Sequence, residues 1–517
     1  MTSPSSVSSS SAPLPPPRLL LLVIGALTLI DFLQSGMVAF AAGPIMGEIG
    51  ASPDEYSTVA AAYASVAVVV IALQRWSVER LGWRRYIRGA LVATAAGAAW
   101  CAQADGYADF LIGRMVMSLG CAGMVTSSRL AVNLISPGPA RFRGIRALAL
   151  GVCSGMALAP WLAALVVTDD RWPMIFWLVA AAALALWPAT RVLPTRMAGP
   201  ASGSHVHPLR LLALAVGSFL VLFVLQRSYY DFYADRAFLV AGAAVGIGAL
   251  AIFLWSEARS GQPLLRVGSM GDVRFLSGLG LFAFCYVTLG SSGYLLPLFL
   301  QRALGHSWAI TGQFYALGLA AGVVTWLSVS SVLPRWPSPR KYFVGGFVAL
   351  GASAWLISRM PPAPDLWRDV LPSLALYGVF IMTLIPVTAM QTFNAFAGDE
   401  VLFAHAQQAK NMLGQMGVAF GVTIATVGQQ WLTAVHYSTL HDGVHTASAP
   451  YLDAHGRYAA VLAMGTSPER AAELAVAQIA QVLSQQSVLL ANLDHFRVLA
   501  AVSMLAMVVS LFQKVMR

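Results

Sequence analysis

The sequence predicts an all-α polytopic membrane protein, and three observations carry that prediction. Hydrophobic residues make up 58 % of the 517 residues and charged residues only 10 %, where soluble domains hold about 45–50 % and about 25 %. The apolar residues come in blocks of about 20, the length that crosses a bilayer as a helix. The Lys and Arg residues collect in short segments between alternate blocks. This pattern excludes a soluble enzyme, a disordered chain and a β-rich secreted scaffold. An outer-membrane barrel is excluded too, because its strands alternate apolar and polar residues.

Fourteen blocks are read as spans, at 19–42, 56–74, 86–104, 108–133, 143–167, 172–193, 209–226, 237–256, 275–300, 308–333, 342–359, 367–391, 403–431 and 494–513. Residues 1–18 are Ser- and Pro-rich and read as a disordered tail. The run after Arg18 is long enough to span by itself, so it reads as the first span and not as a cleaved leader. The seventh block is short. The thirteenth carries His405, Gln407, Gln408, Lys410, Asn411 and Gln415.

With the N-terminus in the cytoplasm, more than two thirds of the 32 Lys and Arg fall in the tails and cytoplasmic loops, Arg129 and Lys410 counted among them. This asymmetry is the positive-inside pattern. It predicts both termini in the cytoplasm of a bacterial inner-membrane protein. The net charge of +10 is thereby assigned to topology, so no nucleic-acid partner is expected. Cys101, Cys121, Cys153 and Cys285 all lie in apolar blocks without ligand spacing, which argues for packing and against disulfides or zinc.

Residues 432–493 form the longest connection. Within it, Ser467-Pro468-Glu469 is a helix start: a capping hydroxyl, Pro in the first turn and an acid near the positive helix end. The stretch Ala471 to Leu490 reads as a helix that can run on into the last span. This connection either caps the protein's own outer end or docks a periplasmic partner. His436, His441, His445 and His455 lie within it but lack regular ligand spacing, and no metal or other cofactor is expected.

Ionisable residues inside spans are costly and are functional candidates by default. Asp31 in the first span and Arg114 in the fourth are the two that stand out, as candidates for proton coupling. Each also has a structural reading, Asp31 as a partner or solvated acid and Arg114 as a tie to backbone carbonyls. Gln34, Ser35, Tyr63, His405 and Gln408 are polar candidates for a substrate cavity, with Gln226, Asn394 and Gln415 beside them. Between the second and third spans, Glu79, Arg80, Gly82 and Arg84 combine an acid, a turn glycine and basic charge. Such a loop can join helical bundles through charge pairs, or serve topology alone.

That loop resembles the Gly-x-Leu-Ala-Asp-Arg-x-Gly-x-Lys/Arg motif of the major facilitator superfamily, with Glu79 at the Asp, Arg80 at the Arg, Gly82 at the second Gly and Arg84 at the basic position; Arg75 and Ser77 depart from it. Ile112-Gly113-Arg114 resembles the span-four motif, with Met117-Ser118 where Gln-Gly is usual. Gly155 and Pro160 remain from the span-five antiporter motif, with Ala replacing three of its glycines. Trp172 to Phe176 resembles the family's entry to span six. Pro263-Leu-Leu, Tyr294 to Gln301 and Lys410 to Ala419 extend the likeness through the second half. Together with fourteen spans, this resembles the drug:proton antiporter group of EmrB- and QacA-like proteins over essentially the whole chain. In that group the span-one acid lies nine residues before an Ala-x-Pro. Counted from Ala42-Gly43-Pro44 its column lands on Ser35, and Asp31 lies one helical turn earlier.

The resemblance implies two six-helix bundles, 19–193 and 275–513, joined by a linker at 194–208 and an extra pair of spans at 209–256. It implies a midplane site between the bundles and efflux of drugs or amphipathic aromatic compounds in exchange for protons. It also allows a periplasmic adaptor and outer-membrane channel as partners. An importer or metabolite symporter, and a non-transporting membrane sensor, remain as alternatives. An enzyme is not expected, since no nucleophile–base pair is evident in the loops.

Overall fold

In this computed structural model, residues 18–136, 138–195, 202–231, 234–444 and 448–515 are described. Residues 1–17 of the tail expected at 1–18, part of the linker and His445 lie outside them, and Arg18 already belongs to the first helix. Among the described residues the long elements are all helical: α1 Arg18–Phe40, α2 Pro53–Leu81, α3 Trp83–Ala102, α4 Tyr107–Leu134, α5 Pro139–Thr168, α6 Pro173–Val192, α7 Pro208–Asp231, α8 Arg236–Ala258, α9 Val273–Ala303, α10 Trp308–Val332, α11 Pro339–Ser358, α12 Leu366–Phe396, α13 Glu400–Gly443 and α14 Pro468–Phe512. Thirteen are long and apolar enough to cross a membrane. The exception is α3, whose Arg84, Arg85 and Arg88 depress its hydropathy although it has 20 residues. It packs against α4 and α6 like any other member of the bundle.

Local chemistry starts these helices. Ser52 forms a capping box with Glu55: Ser52 Oγ accepts the Glu55 N–H (3.4 Å) and Glu55 Oε2 accepts the Ser52 N–H (2.8 Å). Asp272 caps α9, Ser307 caps α10 and Asp399 caps α13. Ser467 accepts the Arg470 N–H with Pro468 in the first turn, and α14 then runs unbroken into the last span, as its sequence predicts.

Helices α1 to α6 pack together, as do α9 to α14. The two groups meet along two seams, α5 with α10 and α2 with α13. The pair α7 and α8 lies outside the α2–α13 seam, with α7 touching both of its helices. Small residues draw α1 and α5 together. A Cβ on Gly155 would lie 2.8 Å from the Leu29 carbonyl oxygen, and one on Gly36 would lie 2.6 Å from Ala159 Cβ. In lipid, where apolar side chains gain nothing by leaving water, such close backbone approach is the main source of helix association. Pro160 stands at the next contact: its carbonyl oxygen is 2.6 Å from where a Cβ on Gly312 of α10 would sit.

The last two spans are overlong. At 44 and 45 residues, α13 and α14 measure about 66 Å each, against about 30 Å of hydrocarbon. Most of the expected 432–493 loop is therefore helix, projecting with the short helix Ala449–Leu462, which packs on α14. His436 Nε2 and Asp494 Oδ2 lie 2.7 Å apart and tie the two helices there.

Candidate functional site

A cavity of ≈ 470 Å³ lies between the two helix groups, within the usual size for a small-molecule site. Two helices each line it along one face. On α2 the lining residues Tyr56, Val59, Tyr63, Ala67 and Ile71 recur at helical spacing. On α13 the face comprises Gln407, Lys410, Asn411, Gly414, Gln415 and Val418, continuing to Val422. The polarity that weakens the thirteenth span in sequence is thus a stripe turned to the cavity.

The first-half cluster is built around Gln34, which is fully buried on α1. Its Oε1 accepts from Arg114 Nη1 (3.2 Å). Its Nε2 contacts three oxygens: Ser35 Oγ (2.7 Å), Tyr63 Oη (2.7 Å) and Asp31 Oδ1 (3.5 Å). An amide has two N–H bonds for these three acceptors, and the Asp31 contact is the longest. Arg114 also lies over the Tyr63 ring, 4.1 Å from its centroid. Asp31, Ser35, Tyr63 and Arg114 all line the cavity. Asp31 and Arg114 are therefore coupled through an amide and not as a direct ion pair.

His405 and Gln408 are placed elsewhere. Each sits off the α13 face that lines the cavity. Gln408 Nε2 donates to the Ile71 and Ala72 carbonyls of α2 (2.7 and 2.9 Å), and His405 Nδ1 accepts the Arg266 N–H (3.3 Å). Gln408 thus ties α13 to α2 at the seam, and His405 ties α13 to the segment between α8 and α9. Of the other polar candidates, Gln226 and Gln415 line the cavity and Asn394 does not.

The Glu79 loop has a different geometry from a charge pair between bundles. Glu79 accepts from Arg75 Nε (2.7 Å), from Ser202 N–H (2.9 Å) and from Ser202 Oγ (2.7 Å). The Ser202 carbonyl accepts from Arg266 Nη2 (3.1 Å), and Arg266 meets His405 at the start of α13. The link from Glu79 to the second half therefore passes through the connecting segments. Gly82 turns the chain with φ 77°, a conformation that suits glycine. Arg84 holds α3 to the end of α6, donating to the Leu193 and Arg191 carbonyls (3.0 and 2.7 Å). Arg80 lies over Trp76.

Two cavity residues were assigned to cytoplasmic loops by the charge count: Arg129 and Lys410. The structure corrects this. Arg129 lies on α4 and Lys410 on α13, and both line the cavity. The Lys410 ammonium is 5.2 Å from the centroid of Phe282 and 5.9 Å from that of Tyr286. The i, i+3, i+4 spacing of Gln407, Lys410, Asn411, Gly414 and Gln415 was the signal available to place Lys410. Nothing in sequence marks Arg129, which follows a run of buried small and polar residues, Thr126 to Ser128.

The match to the family model described as Major Facilitator Superfamily covers residues 24–427. The chain belongs to the major facilitator superfamily. It is a multi-pass membrane transporter of that family. A Klebsiella pneumoniae protein carrying a multidrug-resistance name, MdtD, is 24 % identical over 399 residues, 76 % of this chain and 83 % of its own length. An uncharacterised MFS-type transporter of Mycobacterium tuberculosis, Rv1250, is 26 % identical over 425 residues, 79 % of this chain and 70 % of its own. Among solved structures, one reported for substrate recognition in proton-dependent oligopeptide transporters aligns with a TM-score of 0.58 at 14 % identity, covering 96 % of this chain and 98 % of the other. The nucleoside transporter NupG aligns with a TM-score of 0.51 at 14 % identity over 94 % and 99 %. These likenesses to solved structures concern the fold.

Proposed function

We propose that the protein exports amphipathic or aromatic compounds, drugs among them, in exchange for protons by alternating access. It sits in a bacterial inner membrane with both termini cytoplasmic. The observation that carries the reading is Asp31, a carboxylate lining the cavity between the two helix groups and bound weakly, at 3.5 Å, by an amide whose other end holds Arg114. An acid so placed can exchange its proton with water or substrate without breaking a strong ion pair. Relatives bearing the MdtD name support multidrug export. The basic loops support the orientation. The helical projection of α13 and α14 offers a surface to a periplasmic adaptor leading to an outer-membrane channel.

Everted membrane vesicles test this. A pH gradient is imposed, lipophilic cations or aromatic acids are added, and the gradient is followed in the wild type, in Asp31→Asn and in vesicles lacking the protein. Substrate-dependent proton movement in the wild type, absent from the other two, is the expected result. Movement that persists in Asp31→Asn would place coupling at another residue. Uptake in the opposite direction would identify an importer, and no movement with any compound would favour a sensor.

A further inference from the structure

The charges of the cavity do not balance. Among its lining residues there is one acid, Asp31, and three cations, Arg114, Arg129 and Lys410. Arg114 is engaged by Gln34 and Tyr63. Arg129 lies over the Phe403 ring (4.9 Å) and Lys410 beside Phe282 and Tyr286, but among the described residues neither has a carboxylate partner. Arg129 Nη1 is buried without a hydrogen-bond partner, and so is Nε2 of Gln407. Gln407 is 2 % exposed and lines the same cavity. Three polar residues on α4 and α13 therefore line one cavity, Arg129 and Gln407 each with a buried donor that lacks an acceptor. Two of them are cationic, with Phe282 and Tyr286 beside Lys410.

A buried donor without an acceptor costs free energy, more so when charged. A bound anion would recover it through charge-assisted hydrogen bonds. Water can solvate these groups in an empty cavity, but only an anion also offsets the excess positive charge. We infer that Arg129, Lys410 and Gln407 form an anion subsite. On this basis the transported compounds are amphipathic organic anions, their acidic group on these three residues and their aromatic body against Phe282 and Tyr286. Asp31 lies on α1 in the opposite helix group and is left free to carry the proton. The inference rests on the transport reading for its biological role, but the binding itself does not.

Purified protein in nanodiscs of zwitterionic phosphatidylcholine is titrated with 1-naphthoate, 1-naphthamide and 1-naphthylmethylammonium by calorimetry. Naphthoate is expected to bind about tenfold or more tightly than the other two. Lys410→Gln and Arg129→Gln should each remove that preference by lowering naphthoate affinity more than naphthamide affinity, while Lys410→Arg restores it and shows that the fold survives. Equal or tighter binding of the amide or the ammonium would overturn the subsite. Absence of naphthoate binding, or an unchanged affinity in Lys410→Gln, would overturn it as well. Binding that anionic phosphatidylglycerol abolishes would assign the cluster to a lipid headgroup and reject a small-molecule anion. Failure of the transport proposal is distinct: the anion preference would persist without substrate-dependent proton movement.

Discussion

Asp31 and Arg114 communicate through the side chain of Gln34, whose oxygen accepts from Arg114 at 3.2 Å and whose nitrogen contacts Asp31 at 3.5 Å. A direct pair would hold both charges tightly in a low-dielectric site. The amide weakens the tie and lets one carboxyl change state while the guanidinium stays bound. Gln34→Leu should leave Arg114 buried without this acceptor and cost about 1.5–3 kcal/mol, the range for a hydrogen bond to a charged group. Thermal unfolding in detergent measures it, and an unchanged melting temperature would mean that Arg114 has found another partner.

The one-turn displacement of the acid gives a second expectation. Ser35 lines the cavity beside Asp31, and its hydroxyl accepts from the same Gln34 amide at 2.7 Å. Asp31→Asn should abolish substrate-coupled proton movement. The double variant carrying Asp31→Asn and Ser35→Asp should recover a substantial part of it. Recovery of none would show that position 31, and not the cavity face, is what coupling needs.

The α5–α10 seam has no spare room at Gly312, where a Cβ would meet Ala164 Cβ and the Pro160 carbonyl oxygen. Gly312→Val should force the seam apart at a cost of about 1–3 kcal/mol. Transport should be lost while the protein still reaches the membrane. Uptake or efflux assays alongside membrane immunoblots would show it, and normal transport would mean that the seam opens more easily than its packing suggests.

Glu79 holds the connecting segment by accepting both the N–H and the hydroxyl of Ser202. Glu79→Ala should release that segment and speed its cleavage by added protease, since local opening follows local hydrogen bonding. Ser202→Ala removes only the hydroxyl contact and should have a smaller effect. Equal cleavage in wild type and Glu79→Ala would show that the segment is held from elsewhere.

Gly82 has φ 77° between α2 and α3, so Gly82→Ala should strain the turn by about 1–3 kcal/mol. A lowered melting temperature with intact helical circular dichroism is the expected signature.

The order and number of the helices were legible in the chain because both depend on local properties. Apolar blocks of bilayer length, a capping Ser467 followed by Pro468, and basic loops each act within a few residues. The resemblance of the Gly82 loop, Arg114 and Gly155–Pro160 to family motifs is likewise local. Asp31, Ser35 and Tyr63 could be picked out because polar groups inside apolar blocks are rare.

Which way a polar residue turns was decided by packing. Gln407 and Gln408 are adjacent and chemically identical. A rotation of about 100° along α13 gives one to the cavity and the other to the backbone of α2. Lys410 and Arg129 carry the same charges as the loop residues around them, so composition assigns them to topology. Only the seating of α4 and α13 against the opposite helix group turns them inward. The sequence by itself determined the spans, the Ser467 cap and the family. The tertiary structure alone decided that the cavity is positively charged and that an amide separates Asp31 from Arg114. Both depend on contacts between residues as distant as 34 and 114, or 126 and 411, which no local periodicity encodes.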